Sequence, residues 1–193
     1  MVKQTAKFSF MEQWKEYQLK DVTTILGDGL HGTPEYDENG TVFFINGNNL
    51  VDGKIEIKDS TKRVSEEEAN KYRKNLTQRT IFVSINGTIG NVAKYKGEAC
   101  ILGKSACYFN VAENFDLNFI YYVVASQQFK DAITRLATGT TIKNVSLETM
   151  RNYSFMAPSI NEQKRISSIL SSLDSKIELN RRINDNLIPT YYA

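Results

Sequence analysis

Two short stretches of this chain concentrate groups that bind anions and base edges. Ser84–Ile85–Asn86–Gly87–Thr88 and Thr138–Gly139–Thr140–Thr141–Ile142–Lys143–Asn144 each set hydroxyls and amides beside a glycine. Such hydroxyls, together with backbone N–H groups, bind phosphates at little steric cost, and an asparagine amide can pair with adenine through two bonds. Glycine lets a ligand approach the backbone closely. The candidate ligand groups are Ser84, Asn86, Gly87 and Thr88 in one stretch. In the other they are Thr138, Gly139, Thr140, Thr141, Lys143 and Asn144. The same residue types are ordinary turn formers, so the two loops alone leave both readings open.

Other chemistries lack the residues they need. His31 is the only histidine, which leaves one candidate for a histidine triad and none for a multi-histidine metal site. Read alone, it is a turn residue facing solvent. No G-x-x-x-x-G-K-[ST] or G-x-G-x-x-G occurs, and no carboxylate pair stands out by spacing. No catalytic residue and no metal site is expected.

Charge is unevenly placed. Lys71, Arg73, Lys74, Arg79, Lys94, Lys96 and Lys104 face a single acid, Glu98, across residues 71–104, whereas residues 28–38 carry four acids and no Lys or Arg. A charge run of this kind usually marks a solvated face. It can also line one side of a groove for a polyanion, with Lys94, Lys96, Lys104 and Lys143 as phosphate contacts.

The elements that position these groups follow from pattern and punctuation. WKEYQL alternates like a strand and leads into a short turn of helix at residues 19–22. Residues 27–40, with four glycines and Pro34, read as a loop that carries His31, Thr33 and Tyr36. Residues 42–46 form a strand, and residues 54–57 and 62–64 look like the arms of a hairpin. Ser65 caps a helix to about Lys74, with Glu66, Glu67 and Glu68 at its positive end. Strands are expected over residues 80–85, 91–95 and, as a pair, 99–111. Residues 116–136 read as two helical pieces meeting near Ser126, and Ser146 caps a short helix before a strand at 153–157. The strands do not alternate regularly with helices, so the fold class is mixed α+β.

The last helix has a different character. Ser159 and Glu162 have the spacing of a capping box before it, and Pro189 ends it. Ile166, Leu170, Leu173, Ile177, Asn180, Asn184 and Leu187 follow at alternating steps of four and three, the spacing of a coiled-coil seam. Residues 160–188 would extend about 43 Å as helix. Buried Asn180 and Asn184 would cost stability and fix register. Ile169 and Ile183 widen the apolar face beyond two positions. A partner helix is the expected use of this seam.

Hydrophobic content of 41% and charged content of 24% fit a soluble globular chain. The apolar runs fall short of a membrane span, residues 1–20 lack a signal-peptide plan, and two cysteines cannot build a disulfide framework. A cytoplasmic protein is the expectation.

Five segments together resemble the specificity subunit of type I restriction-modification systems: WKEYQLKDV, DGLHGTPEYDENG, IFVSINGTIGNVA, TGTTIKNVSLETM and APSINEQKRISSILSSLDSKIELNRRINDNL. The last is the most specific, and residues 1–10 lie outside the resemblance as an extension. The resemblance implies a target recognition domain over residues 1–158, a helix over 159–188 for dimerisation and methyltransferase docking, and a tail at 189–193. It also implies a non-catalytic reader of double-stranded DNA, whose recognition surface would include His31, Thr33 and Tyr36 of the 28–36 loop beside the two polar stretches. Its partner is the modification subunit, which binds S-adenosylmethionine and methylates adenine, while this chain itself needs no cofactor. A restriction subunit joins indirectly, and no membrane is involved.

The family pattern has two recognition domains and two helical regions, whereas this chain has one of each. The expectation is therefore a half-size subunit or a fragment, acting as a homodimer on an interrupted palindrome. A spacer of about 43 Å matches about 13 base pairs at about 3.4 Å each. The alternative is an assembly or decoy protein that binds the modification subunit without reading DNA. A small enzyme with an unrecognised site is a third class, which the missing constellations disfavour.

Overall fold

The computed structural model describes residues 14–187, so the extension at 1–10, the expected helix end at 188 with Pro189 after it, and the rest of the tail at 189–193 lie outside the described residues. Its centre is a four-stranded antiparallel sheet in the order β2-β10-β7-β8, formed by Thr23–Asp28, Ala106–Val111, Thr80–Ser84 and Val92–Lys94. Every residue of β7 and β10 is buried. Both faces of this sheet are therefore covered, which is why TIFVS and ACYFNV read as nearly continuous apolar runs instead of alternating with polar residues.

The two-residue period of a strand divides those runs between two cores. Ile81, Val83, Cys107 and Phe109 pack with Ile120, Phe129, Ile133 and Met150. These come from α2 (Leu117–Ala125), α3 (Gln127–Arg135) and α4 (Leu147–Arg151). Phe82 and Tyr108 point the other way, to Ile45, Leu50 and Leu102. A second sheet, ordered β6-β3-β9, comprises Arg63–Val64, Val42–Ile45 and Cys100–Leu102, with β3 and β9 parallel. Its outer side is closed by α1 (Glu66–Tyr72) through Val42, Phe44, Val64 and Ala69. The layers are helices, sheet, sheet and helix, an α+β arrangement.

The caps at Ser65 and Ser146 fall where they were expected, and Ser126 adds a third. Ser65, Ser126 and Ser146 each accept a backbone N–H three residues on, and Ser126 ends α2 as it begins α3. One pairing differs from expectation. Residues 54–57 and 62–64 are not partners. Lys54–Ile55 (β5) pairs with Leu50–Val51 (β4), while β6 pairs with β3. Asp52 and Gly53 make the turn, with φ of 48° and 78°. Asp-Gly with two positive φ values is a favoured hairpin turn, and it overrides the more distant pairing.

A two-stranded ribbon pairs the first and last strands, Lys15–Gln18 (β1) and Ser154–Ala157 (β11), before α5, Ile160–Leu187. Glu162 turns to Arg165 at 2.6 and 2.8 Å, so its carboxylate serves an ion pair in the first turn in place of the expected capping box. No helix among the described residues is long and apolar enough to cross a membrane.

Arg79 ties the sheet to the helical layer. Its guanidinium donates to the carbonyls of Val111, Ala112 and Phe115 at 2.7–2.8 Å. Bonds from a charged donor are each worth about 1.5–3 kcal/mol net, and their loss removes a partner from three carbonyls between the end of β10 and α2. Arg79→Ala is expected to lower stability by about 2–4 kcal/mol in urea unfolding, with no recovery in Arg79→Lys. A loss below about 1 kcal/mol would assign the cluster no structural role.

Candidate nucleic-acid interface

Antiparallel pairing decides which loops can meet. β2 ends, β10 begins, β7 ends and β8 begins at the same end of the central sheet, with Cys107 opposite Asp28, Ala106 opposite Ser84 and Val83 opposite Val92. The loops at 29–41, 103–105 and 85–91 emerge there together. Leu30 N–H donates to Leu102 C=O at 2.7 Å, and Ile85 N–H to Ser105 C=O at 3.0 Å, so the three are cross-linked by backbone. At Gly29 a Cβ would lie 2.2 Å from the Leu102 carbonyl oxygen; only glycine permits that crossing.

The 138–144 loop joins this cluster from the far side of the chain. It closes on itself through Thr138 N–H to Asn144 C=O at 2.9 Å and the reverse bond at 2.8 Å. It then docks on the 85–88 turn. Val145 N–H donates to Ile85 C=O, Gly87 N–H to Lys143 C=O, and the Asn86 amide to Asn144 Oδ1 at 3.2 Å. The two stretches singled out in the sequence, 54 residues apart from Ser84 to Thr138, are thus one surface. Gly87, Thr88, Thr138, Gly139, Thr140, Thr141 and Lys143 are exposed, while Asn86 and Asn144 are half-buried where they meet.

The remaining candidates divide. Lys104 is exposed at the β9–β10 turn, in the cluster. His31 and Thr33 are exposed in the neighbouring loop, with His31 Nε2 2.6 Å from Asp28 Oδ2. Tyr36 is 45% exposed and lies beside Phe44 and Lys62. Ser84 is different. It is fully buried and accepts the Asn91 N–H at 2.9 Å, so it shapes the turn from within and cannot reach a ligand.

Lys94 and Lys96 lie elsewhere. β8 runs away from the loops and sets Lys94 opposite Ile81, at the other end of the sheet. Lys94 donates to Asn118 Oδ1 at 2.9 Å and sits 4.6 Å over the Tyr121 ring; burial first, then Lys96, pulls its pKa down. Much of the rest of the basic run is also occupied within the fold. Lys71 pairs with Glu68 at 2.7 Å, Arg73 with Glu66, and Arg79 with three carbonyls. The run is not one groove wall.

The long helix meets its own domain with a polar side. Gln163 is buried; its Oε1 accepts the Asp116 N–H and its Nε2 donates to Pro158 C=O. Ser167 is buried one turn on. The Tyr122 hydroxyl bonds Ser171 at 3.3 Å and Asp174 at 2.6 Å, and burial followed by Asp174 pushes its pKa up to about 12. Glu178 pairs with Lys54 at 2.9 Å, and Arg181 with Asp52 at 2.9 Å. Residues 163, 167, 171, 174, 178 and 181 make one stripe. At about 100° per residue the predicted seam lies about a quarter turn away from it.

That seam is open. Leu173 and Ile177 are 51% and 52% exposed, and Ile169, Leu179 and Ile183 are exposed too. Asn180 and Asn184 are exposed, whereas Ile166 and Leu170 are half-buried near the domain. Leu187 is the last residue of the described helix. Apolar spacing reveals little of the underside: Ile166 packs on the domain's core, and beyond it the contact is carried by Gln, Ser, Asp, Glu and Arg. The four-residue step from Ser167 to Ser171 was the available signal.

The structure thus combines a small mixed domain, one loop-built polar face and a long helix whose apolar stripe is open from Leu173 onward. Residues 11–188 match the type I restriction modification DNA specificity domain, and the chain belongs to that family. A protein of Mycoplasma pneumoniae assigned as a type I specificity subunit is 35% identical over 121 residues, covering 58% of this chain and 32% of that one. The specificity subunit of the Methanocaldococcus jannaschii type I restriction enzyme MjaVIII is 25% identical over 184 residues, covering 91% and 43%. A crystal structure of the type I S subunit from Mycoplasma genitalium superposes with a TM-score of 0.59 at 25% identity, over 90% of this chain and 44% of that one. The HsdS subunit of Thermoanaerobacter tengcongensis shares the fold, with a TM-score of 0.60 at 15% identity over 89% and 40%. The chain spans less than half the length of each of these relatives.

Two glycines in the cluster separate backbone strain from steric conflict. Gly87 has φ of 71°, and a Cβ added there would have nothing within 4 Å. At Gly139, with φ of 100°, a Cβ would lie 2.4 Å from the Ile142 carbonyl oxygen. Gly87→Ala is expected to cost about 1 kcal/mol, the ordinary left-handed penalty. Gly139→Ala should cost about 2 kcal/mol or more and open the loop. Amide exchange at Thr138 and Asn144 checks this, with protection lost only in Gly139→Ala. Equal loss in both variants would contradict it.

Proposed function

We propose that this chain is a non-catalytic reader of one half of a bipartite double-stranded DNA site. The loops at 29–36, 85–88, 103–105 and 138–144 form the DNA-facing surface. Asn86, Asn144 and the threonine hydroxyls serve base edges and phosphates, and Lys104 and Lys143 serve phosphates. The observation that carries this reading is the convergence of those loops on one face of a chain that belongs to the specificity family. The catalytic chemistry belongs to partners. A modification subunit binds S-adenosylmethionine and methylates adenine, and a restriction subunit joins through it.

In the same reading the open seam of α5 is covered by the corresponding helix of a second copy and docks the modification subunit. An antiparallel pair would place two recognition faces on one duplex with two-fold symmetry, so the site would be an interrupted palindrome. The polar underside supports this, since it leaves Leu173 and Ile177 of the stripe half exposed. Lys94 and Lys96, beside the helix, then belong to its attachment and not to DNA contact.

Two results are expected. Lys143→Ala should weaken binding to all duplexes and reduce the slope of log affinity against log salt by about one; unchanged affinity and slope would remove that contact. Leu173→Glu with Ile177→Glu should convert a dimer to a folded monomer in sedimentation. Unchanged mass would remove the second copy from the seam.

A further inference from the structure

Ile142 is the one large apolar side chain of the 138–144 loop and is 61% exposed. A solitary exposed isoleucine is ordinary on a protein surface, but the setting of this one is specific. It stands at the lip of a groove between the loop and α3, together with Thr88, Lys130, Thr134, Thr141 and Lys143. That lining holds two lysines, three threonines and no carboxylate. Neither lysine forms an ion pair among the described residues, unlike Lys71 and Lys54.

Lys130 is held for this position. A Cβ at Gly90 would lie 2.7 Å from Lys130 Cγ, so the lysine stem rests on a glycine that already has φ of 83°. Its stem is packed, and its ammonium forms no hydrogen bond or ion pair among the described residues. Ile142 is likewise on a defined frame, since the paired Thr138–Asn144 bonds and the Gly87–Lys143 bond fix both ends of the loop. The arrangement is a stiff loop with an apolar side chain beside unpaired cations and hydroxyls.

We propose that this loop enters the major groove with Ile142 packed on a thymine C5-methyl group, while Lys130 and Lys143 hold the phosphates on either side. An aliphatic side chain discriminates thymine through that methyl, and lysine and threonine serve the backbone without reading sequence. This rests on the DNA-reading function proposed above and assigns it one base type and a second phosphate contact, Lys130.

The test uses the full chain with its cognate modification subunit and the duplex it prefers from a random pool. Each thymine is replaced in turn by uracil, which removes only the methyl. The wild type is expected to lose about fourfold in affinity at one thymine per half-site, the worth of one buried methyl. Ile142→Ala should bind more weakly and show no further loss at that uracil. Lys130→Ala should keep the uracil response and lower the salt slope by about one. A wild type that is sequence-specific yet indifferent to every uracil, or an Ile142→Ala that still senses the methyl, overturns the base contact and leaves the reader intact. An unchanged salt slope in Lys130→Ala overturns the phosphate contact. Absence of any sequence preference in the wild type defeats the proposed function together with this inference.

Discussion

The long helix is fastened by polar groups, and the rest of the architecture depends on that choice. Gln163 bonds two backbone groups, Tyr122 binds Ser171 and Asp174, and Lys54 and Asp52 hold Glu178 and Arg181. Exposed ion pairs of this kind are each worth little. Spread along several turns, they orient a helix better than they stabilise it. The consequence is geometric. Because the domain takes the polar stripe, Leu173, Ile177 and Ile183 stay about half exposed, which leaves room for a second helix without disturbing the first contact.

The hairpin turn at Asp52–Gly53 connects the two halves of this picture. Its carboxylate receives Arg181, and the strand after it receives the helix through Lys54. At the other end of the sheet, four loops are joined by backbone bonds into the face proposed to read DNA. The attachment of the helix and this proposed surface therefore lie toward opposite ends of the sheet. A binding partner on the helix and a duplex on the loops need not compete for space.

Much of this is legible in the sequence, and what is not has physical causes. Serine caps at 65 and 146 fix helix starts because the orphan N–H groups of a first turn demand a local acceptor. The Ser84–Thr88 and Thr138–Asn144 stretches stand out by composition, but their contact depends on Val145 pairing with Ile85, which no local rule supplies. Ser84 looks like its neighbours and is buried, since alternation along β7 is hidden when both faces are covered. Lys94 and Lys96 group with Lys104 by nearness in sequence, yet β8 carries them to the opposite end. The Asp52–Gly53 hairpin is a strong local turn signal, and it outweighs the longer pairing that strand composition suggests. Lys130 gives no signal, because the glycine that seats it is 40 residues away.

The central claim is that one polar loop face reads DNA and that two copies joined by their helices read it symmetrically. The most direct measurement is a genome-wide map of adenine methylation in cells that carry this chain with its cognate modification subunit. The account predicts methylated adenines in an interrupted palindrome whose two half-sites are identical, with the pattern lost when the seam carries glutamates at 173 and 177. An asymmetric bipartite site, or methylation without sequence preference, would contradict it.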